Sequence, residues 1–230
     1  GKFSTHIGYE VMDGVDGRNP NATRALAFTY SPFTHTGLKA SYPIDEHWSV
    51  IGLVTLGADN WQDTNRSLSW GAQVNYHPTE SFSVLVNYFQ GAEQIGNDSN
   101  QRQLVELIGN WKVHEQVTLG AHAMTSREEG LAPGGGTANW NSLGLYSINQ
   151  LSEKFSLNLR QEWFNDPLGA RLGLAGRVSG FTITPEYRMT PDWVVRMDFR
   201  FERCDQDIYR SGSNPVGYQN VIWLGQSLKF

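Results

Sequence analysis

The chain has 230 residues and a formal net charge of −5, and charged residues make up 18% of it, against about 25% in soluble domains. The acidic balance argues against a nucleic-acid-binding protein. One cysteine excludes an intrachain disulfide, a cysteine-built metal site and a CxxCH haem attachment. No apolar run approaches the roughly 18 residues of a transmembrane helix, although a membrane β-barrel remains compatible, because its strands need apolar side chains only at alternate positions.

The N-terminus, Gly1 to His6, has neither an initiator Met nor an apolar signal core. We expect a signal peptide to have been removed or upstream sequence to be missing. Short polar clusters then recur about every 36 residues, centred near positions 45, 79, 115, 153 and 191. Longer polar, Gly-rich stretches lie between them, at 57–65, 91–100, 127–136, 165–169 and 204–217. This repeat predicts hairpins with short turns at one end and long loops at the other.

Between the turns the side chains alternate with a period of two, which predicts β-strands. In the segment that starts at Trp193, for example, apolar side chains share one face while Arg196, Asp198, Arg200 and Glu202 share the other. Eleven strands are predicted, at 36–43, 48–57, 66–77, 82–91, 101–113, 116–126, 138–149, 154–164, 172–188, 193–203 and 218–230. A short twelfth strand at 1–8 is expected to pair with the last one and close the sheet.

A soluble sandwich or lipocalin-like barrel would place the apolar faces inside, whereas a membrane barrel places them outside. Strands of ten or more residues are long enough to cross a bilayer, and aromatic residues gather near the turns, as a membrane-interface belt requires. The belt residues are Trp48, Phe82, Phe155, Trp193 and the C-terminal Phe230. We therefore predict an all-β, antiparallel transmembrane β-barrel of about 12 strands, with short periplasmic turns and long extracellular loops, as a single domain over 1–230.

Four segments resemble one family, the OmpL-like β-barrel porins of Gram-negative outer membranes. The segment 1–10 resembles the family's GKFxTxIGYE, 31–43 its PFTHTGxxxxY, 87–94 its NYxxGxEQ and 161–171 its ExFxDPxGAR. The resemblance implies a passive channel in the bacterial outer membrane. Because the family carries further strands before the GKF segment, it also implies that this chain lacks the N-terminal strands. The alternating last strand that ends in Phe230 resembles the signal recognised by the outer-membrane assembly machinery.

The faces opposite the apolar ones carry seven basic and five acidic side chains, which would line the lumen of the predicted barrel. One reading is a wet pore with a mildly cationic or mixed lining. The other is a plug of salt bridges, since twelve strands leave only a modest lumen. The predicted pore-lining residues are Lys39, Glu106, Lys112, Arg160, Glu162, Glu186, Arg188, Arg196, Asp198, Arg200, Glu202 and Lys229.

Residues 8–35 form a long segment after the first strand. Loops of this length without a role are uncommon, so we expect the segment to fold into the lumen and narrow it, and the alternative is an ordinary surface loop. The candidate constriction residues are Tyr9, Glu10, Asp13, Arg18, Arg24 and His35.

The leading functional hypothesis is a porin that passes small hydrophilic solutes or ions, with outer-membrane lipid around it, no nucleic-acid partner and a homo-oligomer left open. One alternative is a structural sheath around a partner such as a cytochrome. The other is an outer-membrane enzyme, for which the inward-facing His122 would be the candidate. No GxSxG or HExxH motif occurs, so we predict neither a catalytic residue nor a metal or cofactor.

Overall fold

A computed structural model describes residues 1–12 and 19–229, and the predicted site residues Asp13, Arg18 and Phe230 lie outside this range. Twelve strands form one antiparallel sheet in the order β1 to β11 followed by β14. They are β1 (Lys2–Ser4), β2 (Thr34–Pro43), β3 (Trp48–Ala58), β4 (Ser69–Thr79), β5 (Phe82–Ala92), β6 (Gln101–His114), β7 (Val117–Ala132), β8 (Gly136–Gln150), β9 (Phe155–Asp166), β10 (Gly176–Thr190), β11 (Trp193–Cys204) and β14 (Tyr218–Leu228).

The remaining elements lie in the connections. A small hairpin, β12 (Tyr209–Ser211) with β13 (Asn214–Val216), sits in the loop before β14. One short helix, α1 (Leu26–Thr29), lies between β1 and β2. No helix in the described part of the chain has both the length and the apolar character required to cross a membrane.

The sheet presents apolar side chains outward and charged side chains on its concave side. Leu107 and Phe201 are 50% and 47% exposed, whereas Glu106, Arg160 and Asp198 are completely buried. This distribution is the reverse of a soluble barrel and is typical of a membrane barrel. The prediction of an antiparallel β-barrel architecture with about 12 strands is confirmed.

Two connections differ from the sequence prediction. The predicted long loop at 127–136 is mostly strand, because Arg127 and Glu128 of β7 still pair with β8 and only the 3-10 turn Pro133–Gly135 separates the two strands. Conversely, the predicted strand at 172–188 begins only at Gly176. The preceding residues form a tight loop because the carboxylate of Asp166 accepts hydrogen bonds from the backbone N–H groups of residues 170 to 172, at 2.6–3.0 Å.

The predicted pairing of residues 1–8 with the last strand is wrong. Lys2 and Ser4 pair with Thr36 and Thr34 of β2, and within the described residues β14 pairs only with β11. The N-terminal strand stops at Ser4 because the chain then turns onto the concave side of the sheet. Gly8 makes this path with a φ of 111°, a backbone conformation that favours glycine.

Aromatic side chains form cross-strand pairs at the short-turn end of the sheet. Trp48 opposes Tyr76, and their rings stack with centroids 4.2 Å apart. Phe82 opposes Trp111, Phe155 opposes Tyr187, and Trp193 begins β11. Aromatic cross-strand pairs stabilise an antiparallel sheet by several tenths of a kcal/mol each.

The outward placement of apolar side chains predicts how a new charge on the outer face of the sheet changes its stability. Leu145, 43% exposed on β8, is expected to lie against hydrocarbon, so Leu145→Arg should lower the free energy of unfolding by about 2–4 kcal/mol. The control is Leu131→Arg, also exposed but at the loop end of β7, where about 1 kcal/mol or less is expected. Urea unfolding in lipid vesicles measures both, and equal losses would contradict a hydrocarbon-facing β8.

Candidate functional site

The concave side of the sheet is occupied by the chain's own N-terminal region. Residues 5–12 and 19–33, called here the inner segment, leave β1 and return at β2. Ile7 and Ala27 are 3% and 5% exposed. The inner segment therefore packs against the wall that the sequence predicts to line a pore.

Arg160 on β9 is the centre of the largest ionic network among the described residues. Its guanidinium lies 2.7 Å from the carboxylate of Glu10 on the inner segment and 3.2 Å from that of Glu162 on the same strand. Glu162 in turn lies 3.2 Å from Arg200, which also pairs with Glu202. All five side chains are nine-tenths or more buried, so each charge depends on its neighbours for compensation.

The wall also binds the backbone of the inner segment. Glu162 accepts a hydrogen bond from the Leu26 N–H at 2.6 Å. Arg160 donates to the Thr23 carbonyl at 2.7 Å, and Arg200 donates to the Arg24 carbonyl. These contacts satisfy backbone groups that have no strand partner at this point of the chain.

Asp198 on β11 is the second anchor of the inner segment. Its carboxylate accepts hydrogen bonds from the N–H groups of Ala22 and Thr23 and from the Thr23 hydroxyl, at 2.6–3.2 Å. Thr184 donates to the same carboxylate at 2.6 Å and accepts a hydrogen bond from Asn21 at 2.7 Å. Hydrogen bonds to an ionised acceptor are stronger than neutral ones, so this side chain fixes the course of residues 21–23.

A second polar cluster forms around Glu106 on β6. Its carboxylate lies 2.6 Å from Nε2 of His122 and accepts hydrogen bonds from the Gly8 N–H at 2.9 Å and from Asn87 at 2.6 Å. His122 is therefore engaged by a carboxylate on the neighbouring strand. The cluster ties the start of the inner segment to β5–β7.

Tyr9 lies flat against the wall, next in the chain to Gly8, which binds Glu106, and to Glu10, which binds Arg160. Its ring stacks on that of Tyr146 with centroids 4.0 Å apart, and its hydroxyl donates to Asn110 at 2.9 Å. A Cβ at Gly120 would approach the Tyr9 hydroxyl to 2.2 Å. Glycine is required at position 120 because any side chain there would displace the tyrosine.

The inward face also carries an apolar layer, which the alternation did not predict. Ala27 of α1 packs with side chains from six consecutive strands: Phe89, Leu104, Met124, Trp140, Phe164 and Val178. Apolar and polar residues alternate less regularly at 138–149 than in the other strands, because the large side chains of Trp140 and Tyr146 both point inward and are 1% and 3% exposed. The inner segment and the wall thus share a small hydrophobic core.

Sequence reasoning missed an ionic cluster at the loop end of the sheet. Arg102 and Arg171 both contact one carboxylate oxygen of Glu128, at 2.6 and 2.9 Å, and the Arg171 guanidinium lies 4.0 Å from the Trp140 ring centroid. Arg171 belongs to the family-like segment 161–171, so the sequence could have marked it as a candidate site residue. Nothing in the sequence marked Glu128 in this way, because it falls in the predicted loop at 127–136.

The predicted pore-lining residues divide into two groups. Those in the centre of the sheet are buried or half-buried and bonded to the wall or the inner segment, and they are Glu106, Arg160, Glu162, Glu186, Arg196, Asp198, Arg200 and Glu202. Four basic residues are exposed instead: Lys39, Lys112, Arg188 and Lys229.

Of the predicted constriction residues, Tyr9 and Glu10 contact the wall as described, and Arg24 lies over the Phe28 ring at 5.1 Å. His35 does not belong to the loop. It lies in β2, where its ring nitrogens contact the Gly57 carbonyl at 3.1 Å and the Thr5 hydroxyl at 2.9 Å. The strand begins two residues earlier than the alternation indicated, since Thr34 pairs with Ser4.

Removal of the central cation should destabilise the protein strongly. Arg160→Met would leave Glu10 and Glu162 buried with less compensation, and we expect a loss of about 3–5 kcal/mol in the free energy of unfolding. Arg177→Met is the control, since Arg177 is exposed and, among the described residues, its side chain hydrogen-bonds only to Asn165, and its loss should stay near 0.5 kcal/mol. Tryptophan fluorescence during urea unfolding measures both, and a loss near the control value would refute the anchoring role.

The docking of the inner segment should depend on pH through His6. The pKa of His6 is lowered to about 4, mainly by burial and to a smaller extent by the nearby His35 and Lys39, against the raising effects of the hydrogen bond to the Tyr88 carbonyl and of Glu106. Since the undocked side chain titrates near 6.5, the undocked state binds more protons between these values. Docking is therefore unaffected above pH 6.5 and loses about 2 kcal/mol by about pH 5.

Amide hydrogen exchange of residues 6–9 at neutral and mildly acidic pH measures this effect, provided that each rate is divided by the intrinsic rate at the same pH and expressed as a protection factor. The protection factors should fall on acidification, and His6→Gln should reduce this fall. The control is His114→Gln at the exposed end of β6, which should leave the fall in protection as in the parent protein. Protection factors that do not change with pH would contradict the role of His6.

Solved structures of outer-membrane proteins have a similar fold. The anion-selective porin from Comamonas acidovorans superposes with a TM-score of 0.68 at 12% identity, over 84% of this chain and 58% of that one. In-vitro folded OmpT, an outer membrane protein of Vibrio cholerae, gives 0.66 at 14% identity, over 99% and 74%. These identities show the shared fold alone. No curated protein matches the sequence.

The family described as "Putative beta-barrel porin-2, OmpL-like" matches residues 1–230. This match confirms the resemblance found in the four sequence segments. The chain belongs to this family of β-barrel porins and, with it, to the bacterial outer membrane.

Proposed function

We propose that the chain forms a passive diffusion channel for small hydrophilic solutes or ions across the outer membrane. The inverted sheet carries the proposal, since its charged side chains face the axis and its leucines and aromatics face outward. Polar lumen and apolar exterior are the requirements of a water-filled path through hydrocarbon. Membership in a porin family supports the same function.

The inner segment acts as the constriction in this proposal. It is bonded mainly to β5–β11, through Glu106, Arg160, Glu162, Asp198 and Arg200. Solutes would then pass beside the inner segment, and the exposed basic residues Lys39, Lys112, Arg188 and Lys229 would face the aqueous part of the path. The predicted wet pore and the predicted ionic plug would thus occupy different parts of one lumen.

The proposal gives the chain no catalytic role. His122, the candidate for one, lies 2.6 Å from Glu106, and this pair binds the Gly8 backbone through the same carboxylate. A structural function explains the contacts of both residues. The sheath alternative would require a partner in the space that the inner segment already fills.

Two further parts of the proposal concern the membrane. The aromatic pairs at the short-turn end, from Trp48 to Trp193, would lie at the periplasmic interface, where amphipathic rings are favoured. Phe230 would present the C-terminal signal to the assembly machinery. A homo-oligomer would form through the outward faces of the strands.

Planar-bilayer recordings test the channel and its constriction. The purified chain should give a steady open current. Asn21→Ala combined with Thr23→Ala, which removes side-chain contacts to Thr184 and Asp198, should raise the mean conductance. Ser99→Ala in an exposed loop is the control and should leave it unchanged.

The absence of current over a wide voltage range would refute the channel, whereas an unchanged conductance in the double variant would refute the constriction. Haem absorbance that copurifies with the chain would favour the sheath, and lipid hydrolysis lost in His122→Ala would favour the enzyme.

A further inference from the structure

A cavity of about 320 Å³ lies between the start of the inner segment and the inward faces of β2 to β6. Its floor is formed by residues 4–8 and 10–12, and its walls include one side chain from each of these five strands. The volume is within the range of small-molecule sites, roughly 300–1,000 Å³. We call this space the side cavity.

The side cavity is more apolar than a water-filled path requires. Ile51, Leu85 and Ile108 line it from three strands of the wall, and Val11 and Met12 line it from the inner segment. Val11 and Met12 are 42% and 43% exposed, so the inner segment presents apolar surface toward this space. Such surface favours a solute with an apolar body.

Charge in the lining is unevenly compensated. Glu10 is bound to Arg160 at 2.7 Å, so its carboxylate is already neutralised. Lys39 of β2 contributes an ammonium group, which lies 4.9 Å from the ring centroid of Phe3. Among the described residues of the lining, Lys39 is the charge that remains to attract a solute, and it selects an anionic group.

His6 adds a requirement for a hydrogen-bond donor. Its Nε2 lies 2.9 Å from the Tyr88 carbonyl, which can only accept, so Nε2 carries the proton of the neutral ring. Nδ1 is therefore an acceptor, and it is buried with no partner among the described residues, in a side chain that is 8% exposed and lines the side cavity. A buried acceptor without a partner is costly, and a solute hydroxyl would satisfy it.

We infer that the side cavity is a binding site for a small hydroxylated carboxylate with an apolar body. The carboxylate would pair with Lys39, the hydroxyl would donate to Nδ1 of His6, and the body would contact Ile51, Leu85 and Ile108. The inference rests on the proposed channel, since it names the class of solute that pauses on the way through. A compact aromatic hydroxy acid has these three parts in one rigid molecule.

Equilibrium binding of 4-hydroxybenzoate to the full chain in lipid nanodiscs tests the inference. Saturation-transfer NMR should detect binding that is weaker for benzoate, which lacks the hydroxyl, for the uncharged methyl ester and for acetate, which lacks the apolar body. Lys39→Gln should weaken binding of 4-hydroxybenzoate roughly tenfold or more. Lys154→Gln, in an exposed short turn, is the matched control and should bind like the parent chain.

Bilayer currents recorded in parallel separate this inference from the channel proposal. Saturable binding that depends on Lys39 supports the site, whether or not current flows. Steady current without such binding overturns the site and leaves the channel intact. Binding that is equal for acetate, or unchanged in Lys39→Gln, also overturns the site.

Discussion

Hydrocarbon on the outside of the sheet is the constraint on which the rest of this structure depends. Since apolar side chains must face the membrane, the polar half of each alternating strand is forced toward the axis. Glu106, Arg160 and Asp198 are completely buried there. Buried charges are tolerated only with close partners and hydrogen bonds, and the concave side must therefore supply them.

The inner segment supplies much of that compensation. Glu10 provides a carboxylate for Arg160, while backbone N–H groups of residues 8, 22, 23 and 26 provide donors for three wall carboxylates. The wall stabilises the inner segment in return, because an irregular backbone inside a barrel also needs hydrogen-bond acceptors and donors. Wall and segment together form an interior that neither could form alone, and the apolar layer around Trp140 and Phe164 adds hydrophobic burial to it.

The inner segment fills the interior of the barrel unevenly. The contacts of residues 19–26 concentrate on β9–β11, whereas the side of β2–β6 retains a cavity. One barrel interior can thus hold a rigid ionic core and an open space side by side. The exposed Lys39 and the buried His6 border this space, although they belong to the strand and to the segment respectively.

The sequence by itself determined the strands, their alternation and hence which side chains point inward, because a period of two and recurrent turns are local properties. It also indicated the family, since the four family motifs are short runs of consecutive residues that can be recognised in the sequence. Only the tertiary structure decided which charges are paired and that β1 pairs with β2. It also decided that Trp140 and Tyr146 pack inside and that Glu128 binds two arginines. These outcomes depend on contacts between residues up to 177 positions apart in the chain, and no local pattern encodes the path of an irregular segment through the interior.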